Sequence, residues 1–283
     1  MQGKRVMVTG ATGGIGLVTA RELARQGAEV IVVGRDAGRS AAAVAQIKEQ
    51  SGNDAVTSML ADLSSQQAIH TLADDFKRRY DRLDVLVNNA GLMFTKRQES
   101  VDGIEMTWAL NHLGYFLLTN LLLDTLKASG PARIVSVSSS AHVGAKLNFA
   151  DLEGRQSYGG YRAYSRSKLA NVMFTYELAR RLQGMSVTAN CLHPGVVATN
   201  FAANNGGFYR AVLRPILNVV SISPEKGAAT SVYLASSPEV DGVTGKYFDK
   251  QKPVASSKVS YDQAAWERLW EVSEQYTHLK AYA

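Results

Sequence analysis

Arg5-Val6-Met7-Val8-Thr9-Gly10-Ala11-Thr12-Gly13-Gly14-Ile15-Gly16 is the stretch on which the fold turns. Its first five residues read as a short buried strand, and a helix is expected from about Leu17 to Gln26. The glycines between them allow a tight turn and let backbone N–H groups approach a phosphate at the positive end of that helix. The spacing is Gly-x-x-x-Gly-x-Gly, not the commoner Gly-x-Gly-x-x-Gly, so the strand–turn–helix context carries the reading. Further strands are expected at Ala28 to Val33, Ser58 to Ala61, Asp84 to Val87, Arg133 to Val137 and Val187 to Leu192, with helices between them. This alternation predicts an α/β, doubly wound, mostly parallel sheet with helices on both faces, formed as one domain by residues 1–283.

Tyr164 and Lys168 stand four apart in Tyr-Ser-Arg-Ser-Lys, so on a helix they share a face. A free tyrosine titrates near pH ~10, and lowering that to about 7 takes roughly 4 kcal/mol of preferential stabilisation of the phenolate. A lysine beside it in a desolvated site is expected to supply that. Such a phenol gives a proton to a carbonyl oxygen, or takes one from an alcohol, while a cofactor moves hydride at carbon. Tyr158 and Tyr161 are followed at the same spacing by Arg162 and Ser165, so the lysine partner singles out Tyr164.

With these motifs in order along the chain, the sequence resembles a short-chain dehydrogenase/reductase and is most similar to the retinol dehydrogenase-like group. The resemblance rests on Thr9 to Gly16, Asp62-Leu63, Asn88-Asn89-Ala90-Gly91, Asn111, Ser139, Tyr164, Lys168 and Pro194-Gly195. It implies a Rossmann fold and an alcohol/carbonyl oxidoreductase. Within it, Tyr164 acts as acid–base, Lys168 tunes the tyrosine and holds the ribose, Ser139 orients the substrate oxygen, and Asn111 serves a water relay ending at Lys168. The serine is chosen from Ser136, Ser138, Ser139 and Ser140 by register in the family pattern, with Ser138 its nearest rival. No Gly-x-Ser-x-Gly elbow surrounds the cluster, which removes a serine hydrolase from consideration.

The same resemblance places a dinucleotide against Gly10, Thr12, Gly13, Gly14, Ile15 and Gly16, and against Asn89, Ala90 and Gly91 at the carboxyl end of their strand. Asp62 is placed to accept from the adenine amino group, with Leu63 giving a backbone contact; a helix N-cap is the competing use of Asp62. Pro194 and Gly195, also placed against the cofactor, sharpen a turn after which the backbone near Val197 and the hydroxyl of Thr199 would orient the nicotinamide, and His193 is read as structural. Cofactor choice rests on Gly34-Arg35-Asp36 at the end of the second strand. NAD enzymes place an acid there for the ribose 2′-hydroxyl. Gly34 stands in its place and Arg35 suits a 2′-phosphate, so NADP(H) is expected over NAD(H), although a shift of two would put Asp36 in the acid's position. Gly13 lacks the basic contact that some NADP-using relatives carry in the glycine loop.

The substrate mouth is expected at Leu92 to Glu105, His142 to Arg162 and Asn200 to Ser221. Phe208, Val212, Leu213, Ile216 and Leu217 recur at helix-like spacing, and a lid at about 200–222 over a lipophilic alcohol or carbonyl is one reading; packing on the body or a neighbouring subunit is the other. Trp266, Leu269 and Trp270 form the core face of a last helix capped by Asp262.

The net charge of +6 comes from basic residues scattered among acidic ones, which argues against a nucleic-acid partner. The single cysteine, Cys191, excludes an intramolecular disulfide and suits a reducing compartment. The first strand follows Met1 closely and no apolar run is long enough to span a bilayer, so a cytoplasmic protein without a transmembrane segment is expected, unlike several membrane-anchored members of the group. The family often forms dimers or tetramers, and the sequence leaves the oligomeric state open. Two other functions stay open: a non-catalytic dinucleotide sensor, and a carbon–carbon double-bond reductase resembling protochlorophyllide reductases.

Overall fold

A computed structural model describes residues 1–195 and 222–279. The expected contacts of Val197 and Thr199 lie outside the described residues, as does the expected lid except for Ile222. The chain builds one eight-stranded sheet in the order β3-β2-β1-β4-β5-β6-β7-β8. These strands are β1 (Arg5–Thr9), β2 (Glu29–Gly34), β3 (Val56–Leu60), β4 (Val85–Asn88), β5 (Ala132–Val137), β6 (Val187–Leu192), β7 (Tyr247–Asp249) and β8 (Lys252–Val254). Every pairing is parallel except β7 with β8. The two short last strands carry too few residues for a periodic signal and were not expected from the sequence.

Helices α1 (Gly14–Arg25), α2 (Ala37–Ser51) and α7 (Pro224–Ser236) cover one face of the sheet; α3 (Gln66–Arg79), α5 (Gly114–Ala128), α6 (Gly160–Arg181) and α8 (Gln263–Thr277) cover the other. Alternate strand residues feed the two cores: Met7, Ile31, Leu86 and Ile134 pack toward α3 and α5, while Val6, Val8, Val30 and Val87 pack toward α1 and α2. Phe116, Phe174 and Trp270 form a ring cluster with centroids 4.9 to 5.8 Å apart. Each such pair adds about 0.5–1.5 kcal/mol beyond the area it buries. Trp270 and Leu269 are buried and Asp262 caps α8 through the Ala265 N–H, as the sequence indicates. Cys191 is a free, fully buried thiol in β6.

Three local expectations change. The first helix starts at Gly14, inside the glycine motif and directly after an extended Gly13. Asp62 does not cap a helix: its carboxylate accepts from the N–H and hydroxyl of Ser64, and Ser65 is the cap of α3. The stretch around Asn111, an apolar run from Trp108 to Leu122 that reads in sequence as one helix, is a short α4 (Met106–Trp108), a π-helical turn (Ala109–Leu113) and then α5, which runs to Ala128. Among the described residues no helix is long and apolar enough to cross a membrane.

Candidate active site

The strand order reverses between β1 and its neighbours β2 and β4, and the carboxyl ends of those strands form the crevice where doubly wound sheets bind ligands. Two motifs far apart in sequence are fitted together there. A Cβ on Gly10, whose φ is +65°, would lie 2.8 Å from the Cα of Ala90, and one on Gly16 would lie 2.5 Å from the Asn89 amide nitrogen. Thr9 completes the joint: its hydroxyl accepts from the N–H groups of Asn89 and Ala90, and its carbonyl accepts from the Asn89 side chain at 2.7 Å. The amide of Asn89 is thereby committed to shaping the glycine turn.

The helices that follow β1, β2 and β3 differ at their N-termini. Asp36 and Ser65 cap α2 and α3 with side chains, whereas Gly13 gives α1 no side-chain cap and the first turn holds no acid. The N–H groups at the start of α1 are therefore open to an anion, which fits a dinucleotide pyrophosphate held by Thr12, Gly13, Gly14 and Ile15. At the end of β2, a Cβ on Gly34 would meet Thr12 Cγ2 at 2.4 Å and Ser40 Oγ at 2.7 Å, so no acidic side chain fits at that position. Asp36 is spent on the Arg39 N–H at 2.7 Å. Arg35 is exposed beside it. Arg39, which the motif reading passed over, is also exposed, and its guanidinium lies 3.9 Å from where a Cβ on Gly13 would be. Its signal was its place one turn after Arg35 on the same surface.

Four side chains converge beyond this turn. Ser139 follows β5 and caps the 3₁₀ turn Ser140–His142, accepting the Ala141 N–H at 3.2 Å. Its hydroxyl also hydrogen-bonds the phenol of Tyr164. Ser138 faces the other way: it is buried and donates to the Lys168 carbonyl at 2.7 Å. Lys168 is buried on α6, donates to the Val137 carbonyl at 2.9 Å and stands 5.7 Å from the Tyr164 ring centre. Asn111 sits in the π-helical turn, a geometry that often marks functional positions. Its amide bonds both main-chain polar groups of Leu92 at 3.0 Å and donates to Ser167 Oγ at 3.0 Å; Ser167 in turn donates to the Tyr164 carbonyl. A Cβ on Gly91 would be 3.3 Å from both Asn111 Oδ1 and Lys168 Nζ, so these groups meet across the β4 loop.

The electrostatics differ from the sequence expectation. Burial pushes the Tyr164 phenol up to about 12, with the Ser139 hydroxyl opposing and the Tyr161 phenol adding to the rise. Burial pulls Lys168 down to about 7. The lysine is hydrogen-bonded to a carbonyl and not to the phenol, so desolvation outweighs the stabilisation that spacing alone suggested. At neutral pH Tyr164 holds its proton. His193 is structural: Nδ1 accepts the Gly195 N–H at 3.0 Å and Nε2 faces Asp249 at 3.3 Å. Pro194 and Gly195 end the first described segment, beside Ile222.

The family model for short chain dehydrogenase matches residues 4–208. The chain belongs to the short-chain dehydrogenase family. Mouse retinol dehydrogenase 14 is 43% identical over 97% of this chain and 86% of its own length. Human polyprenol dehydrogenase is 42% identical over 96% of this chain and 84% of its own. These likenesses put it in the retinol dehydrogenase-like group, as an alcohol/carbonyl oxidoreductase of the NAD(P)(H)-using kind. A crystal structure of a short chain dehydrogenase from Escherichia coli CFT073 complexed with NADPH superposes with a TM-score of 0.70, at 27% identity, covering 89% of this chain and 98% of that one.

Proposed function

We propose that this dehydrogenase interconverts a lipophilic alcohol and its aldehyde or ketone with NADP(H), and that Tyr164 is its acid–base group. The observation that carries the proposal is the hydroxyl pair of Ser139 and Tyr164, with the Lys168 ammonium beneath the phenol. When bound, the dinucleotide supplies or accepts the hydride at the substrate carbon. Ser139 holds the substrate oxygen within reach of Tyr164, and the phenol donates its proton as negative charge grows on that oxygen. A protonated phenol at neutral pH suits the reductive direction. Asn111 has no spare amide hydrogen-bonding hydrogen once Leu92 and Ser167 are served, so in this reading it braces the site and any water relay to Lys168 leaves from its main chain.

NADP(H) is favoured by the same β2 end that leaves no room for an acid. Arg35 and Arg39 offer two guanidinium groups to a 2′-phosphate, and Arg39 provides over the loop the positive charge that Gly13 does not. A lipophilic substrate is supported by the names of the relatives, retinol and polyprenol dehydrogenases, and by two apolar side chains beside the site. Val143 and Tyr161 are each 66% exposed, four residues after Ser139 and three before Tyr164. A cytoplasmic location accords with the free thiol of Cys191.

The test is NADPH oxidation across apolar aldehydes, ketones and small polar carbonyls, with NADH in parallel and Tyr164→Phe as control. Turnover of apolar carbonyls that prefers NADPH and is lost in the variant is the expected result. Small polar carbonyls outperforming apolar ones in kcat/KM would end the lipophilic assignment, and an active Tyr164→Phe would end the acid–base one.

A further inference from the structure

His142 is 1% exposed and belongs to none of the motifs that define the site. Its Nε2 accepts the main-chain N–H of Ser257 at 3.1 Å, an acceptor role that places the ring proton on Nδ1. Nδ1 then donates to the carbonyl of Ser139 at 2.6 Å. That carbonyl also accepts the His142 main-chain N–H at 3.1 Å, so both of its lone pairs are used and the peptide following Ser139 is held against rotation. Burial and the neighbouring His193 both push the His142 pKa down, which keeps the ring in the neutral form this bonding requires.

His193 is held in the opposite tautomer. Its Nδ1 accepts from Gly195, so its proton sits on Nε2, toward Asp249. Between the two imidazoles stands the ring of Tyr247, 4% exposed on β7, with its centre 4.9 Å from His142 and 6.4 Å from His193, nearly parallel to the latter at 13°. One imidazole thus grips the backbone of the serine and the other the backbone of the Pro194–Gly195 turn, with a single strand residue as the spacer.

We propose that the His142–Tyr247–His193 stack is a positioning device that sets the Ser139 hydroxyl at a fixed distance from the Pro194–Gly195 turn, and so the substrate oxygen relative to the hydride-transferring side of the site. None of the three residues is assigned to touch the reacting atoms. The inference rests on the reading of Ser139 as the group that orients the substrate oxygen. It adds that this orientation is enforced from the C-terminal strand pair and the Ser257 segment.

The test compares His142→Asn, whose amide can replace the Nδ1–H donor, with His142→Gln, which can reach Ser257 but not the Ser139 carbonyl. Tyr247→Leu and Tyr164→Phe are made alongside. In His142→Gln, kcat is expected to fall about 10- to 100-fold, the usual consequence of misplacing a reacting group by an ångström, with NADPH affinity unchanged. His142→Asn restores most of kcat, and Tyr247→Leu impairs both kcat and NADPH affinity. Hydrogen exchange followed by mass spectrometry should show residues 138–143 losing protection in the glutamine variant but not in the asparagine one. Equal kcat in wild type and His142→Gln with unchanged exchange at 138–143 would overturn the proposal. So would equal losses of kcat and melting temperature in both His142 variants, since packing alone would then explain them. Turnover that survives Tyr164→Phe, or its absence from the wild type, counts against the proposed function; the exchange comparison still decides the positioning role in that event.

Discussion

Tyr164 and Lys168 show how burial reverses a charge argument. Spacing suggested a phenol lowered by its lysine, yet enclosure pushes Tyr164 up to about 12 and Lys168 down to about 7. With the phenol protonated across the working range, any pH dependence of reduction should come from Lys168, which loses its charge near 7. Oxidation, which needs the phenolate, should rise about tenfold per pH unit on the acid side of that pKa. Measured kcat/KM profiles in the two directions check this: a reductive limb that bends only near pH 7, where Lys168 titrates, beside a climbing oxidative one is expected, and an oxidative plateau already reached at neutral pH would contradict it. The choice of Ser139 over Ser138 was read in sequence only through the family register. In the structure β5 directs Ser138 into α6, while the chain turns at Ser139 toward Tyr164, which is the arrangement the proposal for Ser139 uses.

At the scale of elements, the proposed preference for NADP(H) is tested at the junction of β2 and α2. Arg35→Ser and Arg39→Ser should each weaken NADPH binding by about tenfold or more, in line with the 1.5–3 kcal/mol of a charge-assisted hydrogen bond, and leave NADH binding unchanged. Equilibrium binding of both cofactors decides the matter; parallel losses for NADPH and NADH would refute the assignment. Gly34→Asp, the obvious change toward NADH, should instead destabilise the protein by about 1–3 kcal/mol through overpacking, because its Cβ has no room between Thr12 and Ser40. Thermal melts and NADH binding of that variant test this. The ambiguity of Asp36 was local in sequence and is resolved by its capping bond to Arg39. The π-helical turn around Asn111 had no comparable signal, since a single inserted residue barely disturbs helical periodicity.

For the whole molecule, acid stability should be governed by groups buried far from the site. Burial pushes His112, packed between α5 and α8 with Nε2 on Ser273 at 2.8 Å, down to about 3. In Asp84 burial pushes upward, but hydrogen bonds from Arg82, the Arg5 main chain and Lys4 outweigh it, so its carboxyl is held below the usual range. Both shifts have the same sign for stability. Between pH about 6.5 and 3 the unfolded chain binds the histidine proton and the folded one does not, so stability falls as pH drops; Asp84 adds a loss at the acid end. His112→Gln removes one such proton and should flatten the slope of unfolding free energy against pH by up to about 1.4 kcal/mol per unit in that window. Denaturant titrations at a series of pH values measure it, and an unchanged slope would show that His112 does not titrate on unfolding.

The sequence by itself determined the doubly wound, mostly parallel sheet, the glycine turn and the Tyr164–Lys168 pair, because these depend on local periodicity, on chain turns that only small residues permit, and on helical spacing. The tertiary structure alone decided what lies between motifs. It showed that Gly34 excludes an acid, that Arg39 reaches over the glycine loop, that Lys168 bonds a carbonyl, and that two histidines clasp Ser139 and Gly195 through Tyr247. Those contacts join residues up to 115 positions apart, as Ser257 is from His142, and no local pattern encodes distance across a folded sheet.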